Sequence, residues 1–289
     1  MTSRRRNRIA LILVLLLVPV VWLATNRAGH ARPAGPFGHV EVTTPHFVIA
    51  SDGVDSAAVQ ALGVALEADR QRIVDDLQTT SIISTRVVIQ DKATFDAQWG
   101  KLIGASGIGF QVQGLTGPDG TIYIYGPWAT EHPGKALATV ALHEFAHAAT
   151  GRSAIDHVAA SGRDTIAYIA AMQELGTRVR WLSETIAVYE AGQSNDLNRF
   201  WYLTRGRYPS IADLNDPRKS QVYDVGYRLA EFIRKEWGAS ALVSLVHNDG
   251  DVQAALGISE AELMRRWFAF VQERYLLIKP RWLGWAPTP

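Results

Sequence analysis

The sequence predicts an α+β fold, a small mixed β-sheet with a long buried helix, followed by an all-helical C-terminal half. Three observations carry that expectation. Runs rich in β-branched and aromatic residues, HVEVTTPHFVIAS (39–51), TRVVIQ (85–90) and GTIYIYGP (120–127), are confined to the first half. Helical periodicity separates them, as in residues 55–78, where Val59, Leu62, Leu66, Ile73 and Leu77 fall near one face. From Gly134 onward almost every segment reads as helix.

Taken in order, the chain opens with RRRNR (4–8) and the uncharged run IALILVLLLVPVVWLA (9–24). A basic end followed by an apolar stretch is the layout of a signal-anchor or a secretory signal. The expectation is a single-pass membrane anchor over residues 1–27, with the rest of the chain outside the cytoplasm. Cleavage after Ala31, giving a secreted protein, is the alternative. Residues 28–38, rich in Gly, Pro and Ala, read as a linker. One or two strands follow, broken at Pro45. Next come the helix of residues 55–78, the strand TRVVIQ and a helix through Phe95 and Trp99. GIGFQVQG (107–114) and GTIYIYGP read as two strands joined by the turn TGPDG (116–120). Helices are expected over 134–150, 162–176, 180–192, 195–205, 219–237, 239–247 and 259–275. This divides the folded part into an α+β subdomain (39–150) and a helical subdomain (151–278), with a tail at 279–289.

Composition narrows the chemistry. The formal net charge is +1, but Arg4, Arg5, Arg6, Arg8 and Arg27 fall in the first segment, leaving the body mildly acidic. That argues against a nucleic-acid partner, whose backbone is bound through positive charge. The chain has no cysteine, so disulfides, thiol catalysis and Cys-ligated metals are excluded.

Within TVALHEFAHAATG (139–151), His143 and His147 stand one helical turn apart. Their imidazoles share a face and can converge on one ion. Glu144 points about 100° away and is placed to act on a water bound to that ion. Ala138, Val140, Ala141, Leu142, Phe145, Ala146, Ala148 and Ala149 make the helix apolar nearly all round, so it is buried. Buried histidines and a buried glutamate need a compensating partner, which a metal supplies. With His39, His46, His132, His157 and His247 offering no short continuation of the motif, the better candidate for the third ligand is Glu184, the alternative being a surface acid favoured by the helix N-terminus. Glu184 is set among Trp181, Leu182, Ile186, Ala187 and Val188.

HExxH followed by WLxE-x-x-A resembles the gluzincin metallopeptidases of the Peptidase MA type, distant relatives of aminopeptidase N and thermolysin. The residues that carry it here are His143, Glu144, His147, Trp181, Leu182, Glu184 and Ala187. The resemblance implies a zincin-like fold, a Zn2+ cofactor held by His143, His147 and Glu184, and a peptide or protein substrate hydrolysed with Glu144 as general base. It also implies an edge strand, IYIYGP, along which the substrate pairs. In QVYDVG (221–226) it implies Tyr223 as oxyanion donor, with Tyr189 and Tyr227 as rivals. This sequence departs from the family pattern in three places. Thr185 stands where the family has Gly. The gap before Glu184 is long. The exopeptidase motif is missing, which leaves Glu131 as the candidate for holding a substrate N-terminus. A zincin-fold surface protein that binds partners with little or no catalysis is the alternative function.

Overall fold

The computed structural model describes residues 39–79, 84–106, 112–169 and 179–277, all within one compact unit, Gly35–Pro289. The expected anchor (1–27), linker (28–38) and tail (279–289) lie outside the described residues, as do most of GIGFQVQG and the end of the 162–176 helix. Among the described residues, no helix is long and apolar enough to cross a membrane.

The fold is mixed α/β, with a small sheet first and helices throughout the C-terminal half. Five strands form the sheet: β1 (His39–Thr43), β2 (Phe47–Asp52), β3 (Thr85–Gln90), β4 (Gly114–Thr116) and β5 (Ile122–Tyr125). Their order is β1-β2-β3-β5-β4. The central pairings, β2–β3 and β3–β5, are parallel, and both outer pairings are antiparallel. Pro45 sits in the β1–β2 turn, which the Thr44 N–H closes by donating to the Phe47 carbonyl at 2.8 Å.

Strand alternation sorts the side chains into two layers. Phe47, Ile49, Val87, Ile89, Ile122 and Ile124 are fully buried in the main core. That core is shared with helices α1 (Ser56–Asp76) and α4 (Lys135–Ala160). On the other face Tyr123 and Tyr125 meet Trp99 and Phe95 of helix α2 (Lys92–Ser106), with ring centroids 4.8 and 5.3 Å apart. A short helix, α3 (Gly126–Glu131), follows β5.

Two expectations need correction. IYIYGP is not the sheet edge. Ile122–Tyr125 is interior, between β3 and β4, because Ile122 and Ile124 are completely buried and need neighbours on both sides. The edge on that side is the three-residue strand Gly114–Thr116, and β1 is the edge on the other. In addition, α4 does not end near 150 but runs to Ala160, so the boundary expected at 150 falls inside a continuous helix. Gly151 costs such a helix about 1 kcal/mol. Ser153, Ala154 and Val158, buried at helical spacing beyond it, outweigh that cost.

Residues 165–169 are helical. The C-terminal half then runs through α5 (Arg180–Glu190), a 3-10 turn at Leu197–Arg199, α6 (Trp201–Thr204), α7 (Ile211–Asn215), α8 (Gln221–Trp237), α9 (Ala241–His247), α10 (Val252–Leu256) and α11 (Glu260–Arg274). The short helices α7 and α10 are additional to the expected set. Their signals are local: Ser210 and Asp213 form a reciprocal cap, and the Asp251 side chain caps the Ala254 N–H. Helices α5 and α8 cross at close range. A Cβ on Gly226 would come within 3.2 Å of the Thr185 Cα, so only glycine allows the two helices to lie this near.

Candidate metal centre

His143 and His147 project from the buried middle of α4 with their rings edge to face, centroids 4.8 Å apart. Their Nε2 atoms are 3.1 Å apart. Across from them α5 supplies Glu184, whose Oε2 lies 3.3 Å from His143 Nε2 and 3.6 Å from His147 Nε2. Two nitrogens and one carboxylate oxygen thus form a compact triangle that could hold a metal ion, the only such group among the described residues. Glu184 Oε2 is buried and accepts no hydrogen bond. A buried carboxylate oxygen left in that state is costly unless a cation meets it.

The electrostatics agree. Burial alone would raise the Glu184 carboxyl, yet the imidazoles of His143 and His147 held close against it keep it well below the ordinary value. Burial alone would lower His143, yet Glu184, helped by the charge of Glu144 and by Gln193, leaves it raised. The pocket therefore concentrates negative potential where the imidazole lone pairs converge.

The outer ring nitrogens are held by neutral partners. His143 Nδ1 is 2.9 Å from Gln193 Oε1, and His147 Nδ1 is 2.8 Å from Ser183 Oγ. An Nδ1–H donated to each oxygen leaves Nε2 as the bare lone pair a metal requires. The αL residue Gly192 (φ 66) follows α5 and turns Gln193 back toward α4. Neither residue was predicted. The partners are an amide and a hydroxyl, which carry no charge to mark them in the sequence. Ser183, immediately before Glu184 in the same motif, was the available clue. Gln193→Ala and Ser183→Ala are each expected to weaken metal binding about 10- to 100-fold, read by competition with a chelator of known affinity.

Glu144 is buried beside the triangle. The Thr116 hydroxyl lies 2.9 Å from its Oε2 and 2.8 Å from its backbone carbonyl. Gly114 completes the seat, since a Cβ there would meet the Glu144 Cγ at 3.0 Å and Val140 at 3.1 Å. The edge strand thus lies directly on the glutamate. This contact too was beyond the sequence reading, which placed a different strand at the edge.

Tyr223, on α8, lines the same cleft, its ring centroid 6.2 Å from that of His143. Its phenol is influenced by Glu184 and Arg180, and the Arg180 guanidinium sits 5.4 Å from the ring centroid. Burial, then the Glu184 charge, raise the phenol far above its ordinary value, with Arg180 acting the other way, so it stays a proton donor. Tyr189 and Tyr227 pack against each other with tilted rings, centroids 5.2 Å apart, and neither lines the cleft. Glu131 ends α3, is exposed and is likewise outside the cleft lining.

The cleft over these residues measures about 1300 Å³. No family model matches the chain, and no curated protein or solved structure does either. Its chemistry is therefore read from its own residues.

The approach of Tyr223 to Glu184 depends on the α5–α8 contact. Gly226 is one turn on from Tyr223 and presses against Thr185, which is fully buried beside Glu184. Gly226→Ala is expected to cost about 1–3 kcal/mol by overpacking, measured by chemical denaturation, and to lift Tyr223 from the site.

Proposed function

We propose that the chain is a zinc-dependent peptidase of the gluzincin kind. Its N-terminal apolar segment would anchor it in the membrane, with the catalytic part outside the cytoplasm. The observation that carries the proposal is the three-donor triangle with Glu144 seated against it under the edge strand. Tetrahedral zinc, with bonds of roughly 2.0–2.1 Å, sets its donors about 3.3 Å apart. The separations of 3.1, 3.3 and 3.6 Å fit that requirement, and the bare Glu184 Oε2 fits a metal-facing atom. Two His and one Glu with neutral outer partners are also a zinc donor set.

When bound, zinc would supply a water with a pKa near about 7 and a Lewis acid for the substrate carbonyl. The chain's own residues would do the rest. Glu144, aimed by Thr116, would take the water's proton as the water attacks and return it to the leaving amine. The Tyr223 hydroxyl would donate to the developing oxyanion. The edge of β4 would hold the peptide by strand pairing. Cleavage within a chain is favoured over removal of N-terminal residues. Among the described residues the acids lining the cleft are Glu144, Glu184 and Asp119; the first two are assigned to catalysis and metal, and Asp119 is tied to the Thr121 N–H and hydroxyl.

Metal analysis of the purified protein tests the centre. The expected result is one zinc per chain in the wild type and its loss in His147→Ala. Well under one zinc in the wild type, or unchanged zinc in the variant, rejects the site.

A further inference from the structure

Among the described residues no strand pairs with the outer edge of β4; the cleft wraps around that edge, and its two sides differ. The Tyr125 N–H donates to the Gln113 carbonyl at 2.9 Å, and the Gly117 N–H to the Thr121 carbonyl at 2.8 Å. Alternation along this antiparallel ladder turns the backbone groups of Gly114 and Thr116 outward, away from β5. A polypeptide paired with that edge would send successive side chains to opposite faces of the sheet. One face holds His143, Glu144 and Val140. The other holds a shelf formed by Leu102 and Ile103 of α2 with Val112 and Leu115, all lining the cleft. Ile103, Val112 and Leu115 rest on the Trp99–Tyr123 cluster, and Leu102 is 49% exposed, a large apolar side chain open to the cleft. The shelf itself carries no charge. Arg86 lies on β3, beyond β5, and Asp119 lies in the β4–β5 turn.

From this we infer that the Leu102–Ile103–Val112–Leu115 shelf sets substrate choice. The preferred substrate is an extended polypeptide segment with a bulky aliphatic or aromatic residue at the alternating position that faces α2. The inference rests on the peptidase reading and extends it to specificity. An open apolar surface beside an unpaired strand edge gains from covering by a side chain of matching character. A two-sided strand site can read one face independently of the chemistry on the other.

The test is a cleavage profile of a mixed synthetic peptide library with the zinc-loaded protein, read by mass spectrometry. The expected result is an enrichment of about tenfold or more for Leu, Ile, Phe or Met at one position near the cut. In Leu102→Glu, which alters a half-exposed side chain, that enrichment is expected to disappear in favour of Lys or Arg at the same position. A second arm uses Glu144→Gln and a fluorescent peptide from the selected set. It is expected to bind about tenfold more tightly than its twin with Asp at that position. Cleavage without apolar enrichment, or an unchanged profile in Leu102→Glu, overturns the inference and leaves the peptidase reading standing. If no peptide is cleaved or bound by the zinc-loaded protein, the peptidase reading falls and the inference with it.

Discussion

Replacing Glu144 by Gln is expected to leave one zinc bound and to lower kcat for peptide hydrolysis by about 10²–10⁴-fold. The change keeps the shape of the side chain and its contact with the Thr116 hydroxyl, 2.9 Å from Oε2. It leaves His143, His147 and Glu184 untouched, so metal content should not move. What it removes is the one basic group beside the triangle not committed to the metal. Loss of kcat with near-constant KM is the signature of a group that acts on the reacting atoms rather than on binding. Wild-type kcat in the zinc-loaded variant would take Glu144 out of the mechanism. The same variant separates the proposed enzyme from a binding protein of the same fold, because a purely structural metal site has no use for a base.

Stripping the metal is expected to lower the melting temperature by roughly 8–16 °C. The three donors come from two helices, α4 and α5, so an ion here adds a tie between elements otherwise joined by packing and the His147–Ser183 hydrogen bond. Without it, a buried carboxylate oxygen faces two imidazole nitrogens with no hydrogen bond. Zinc held at about 1,000 times its Kd contributes roughly 4 kcal/mol to the folded state. In a protein of this size each kcal/mol is worth about 2–4 °C. Thermal denaturation followed by circular dichroism, with and without a strong chelator, reads the shift directly. An unchanged melting temperature would mean that no ion is bound at the triangle. In His147→Ala the chelator should have little further effect.

Legibility in the sequence followed the reach of each signal. His143, Glu144 and His147 were readable because helical geometry fixes their relation within one turn. Glu184 was readable because a carboxylate embedded in WLSETIAV demands a cation, and the structure brings it to the two histidines. The strand runs and the helical C-terminal half were visible from periodicity alone. The hairpin of β4 and β5 was visible through its TGPDG turn, but β4 begins only where GIGFQVQG ends, and its place at the edge was not visible, since the interior IYIY carries the stronger β signal. The extent of α4 was missed because Gly151 reads as a stop unless the buried partners of Ala154 and Val158 are known. Gln193 and Ser183 escaped because neutral groups have no charge signature. Their role depends on a loop folding back from the end of α5.

Thr185 and Gly226 carry a further consequence. Together they act as a spacer whose volume is divided between two helices, with the larger share on α5 and none on α8. Tyr223 is fixed to the thinner side of that spacer, one turn away. Moving bulk from one helix to the other would keep the total thickness and change the tilt. Thickening either side alone would raise the phenol off Glu184. The two positions should therefore tolerate change only as a pair: Thr185→Gly combined with Gly226→Ala should be milder than Gly226→Ala alone. Through that paired constraint, the reach of the tyrosine can be tuned without altering any residue that touches the metal.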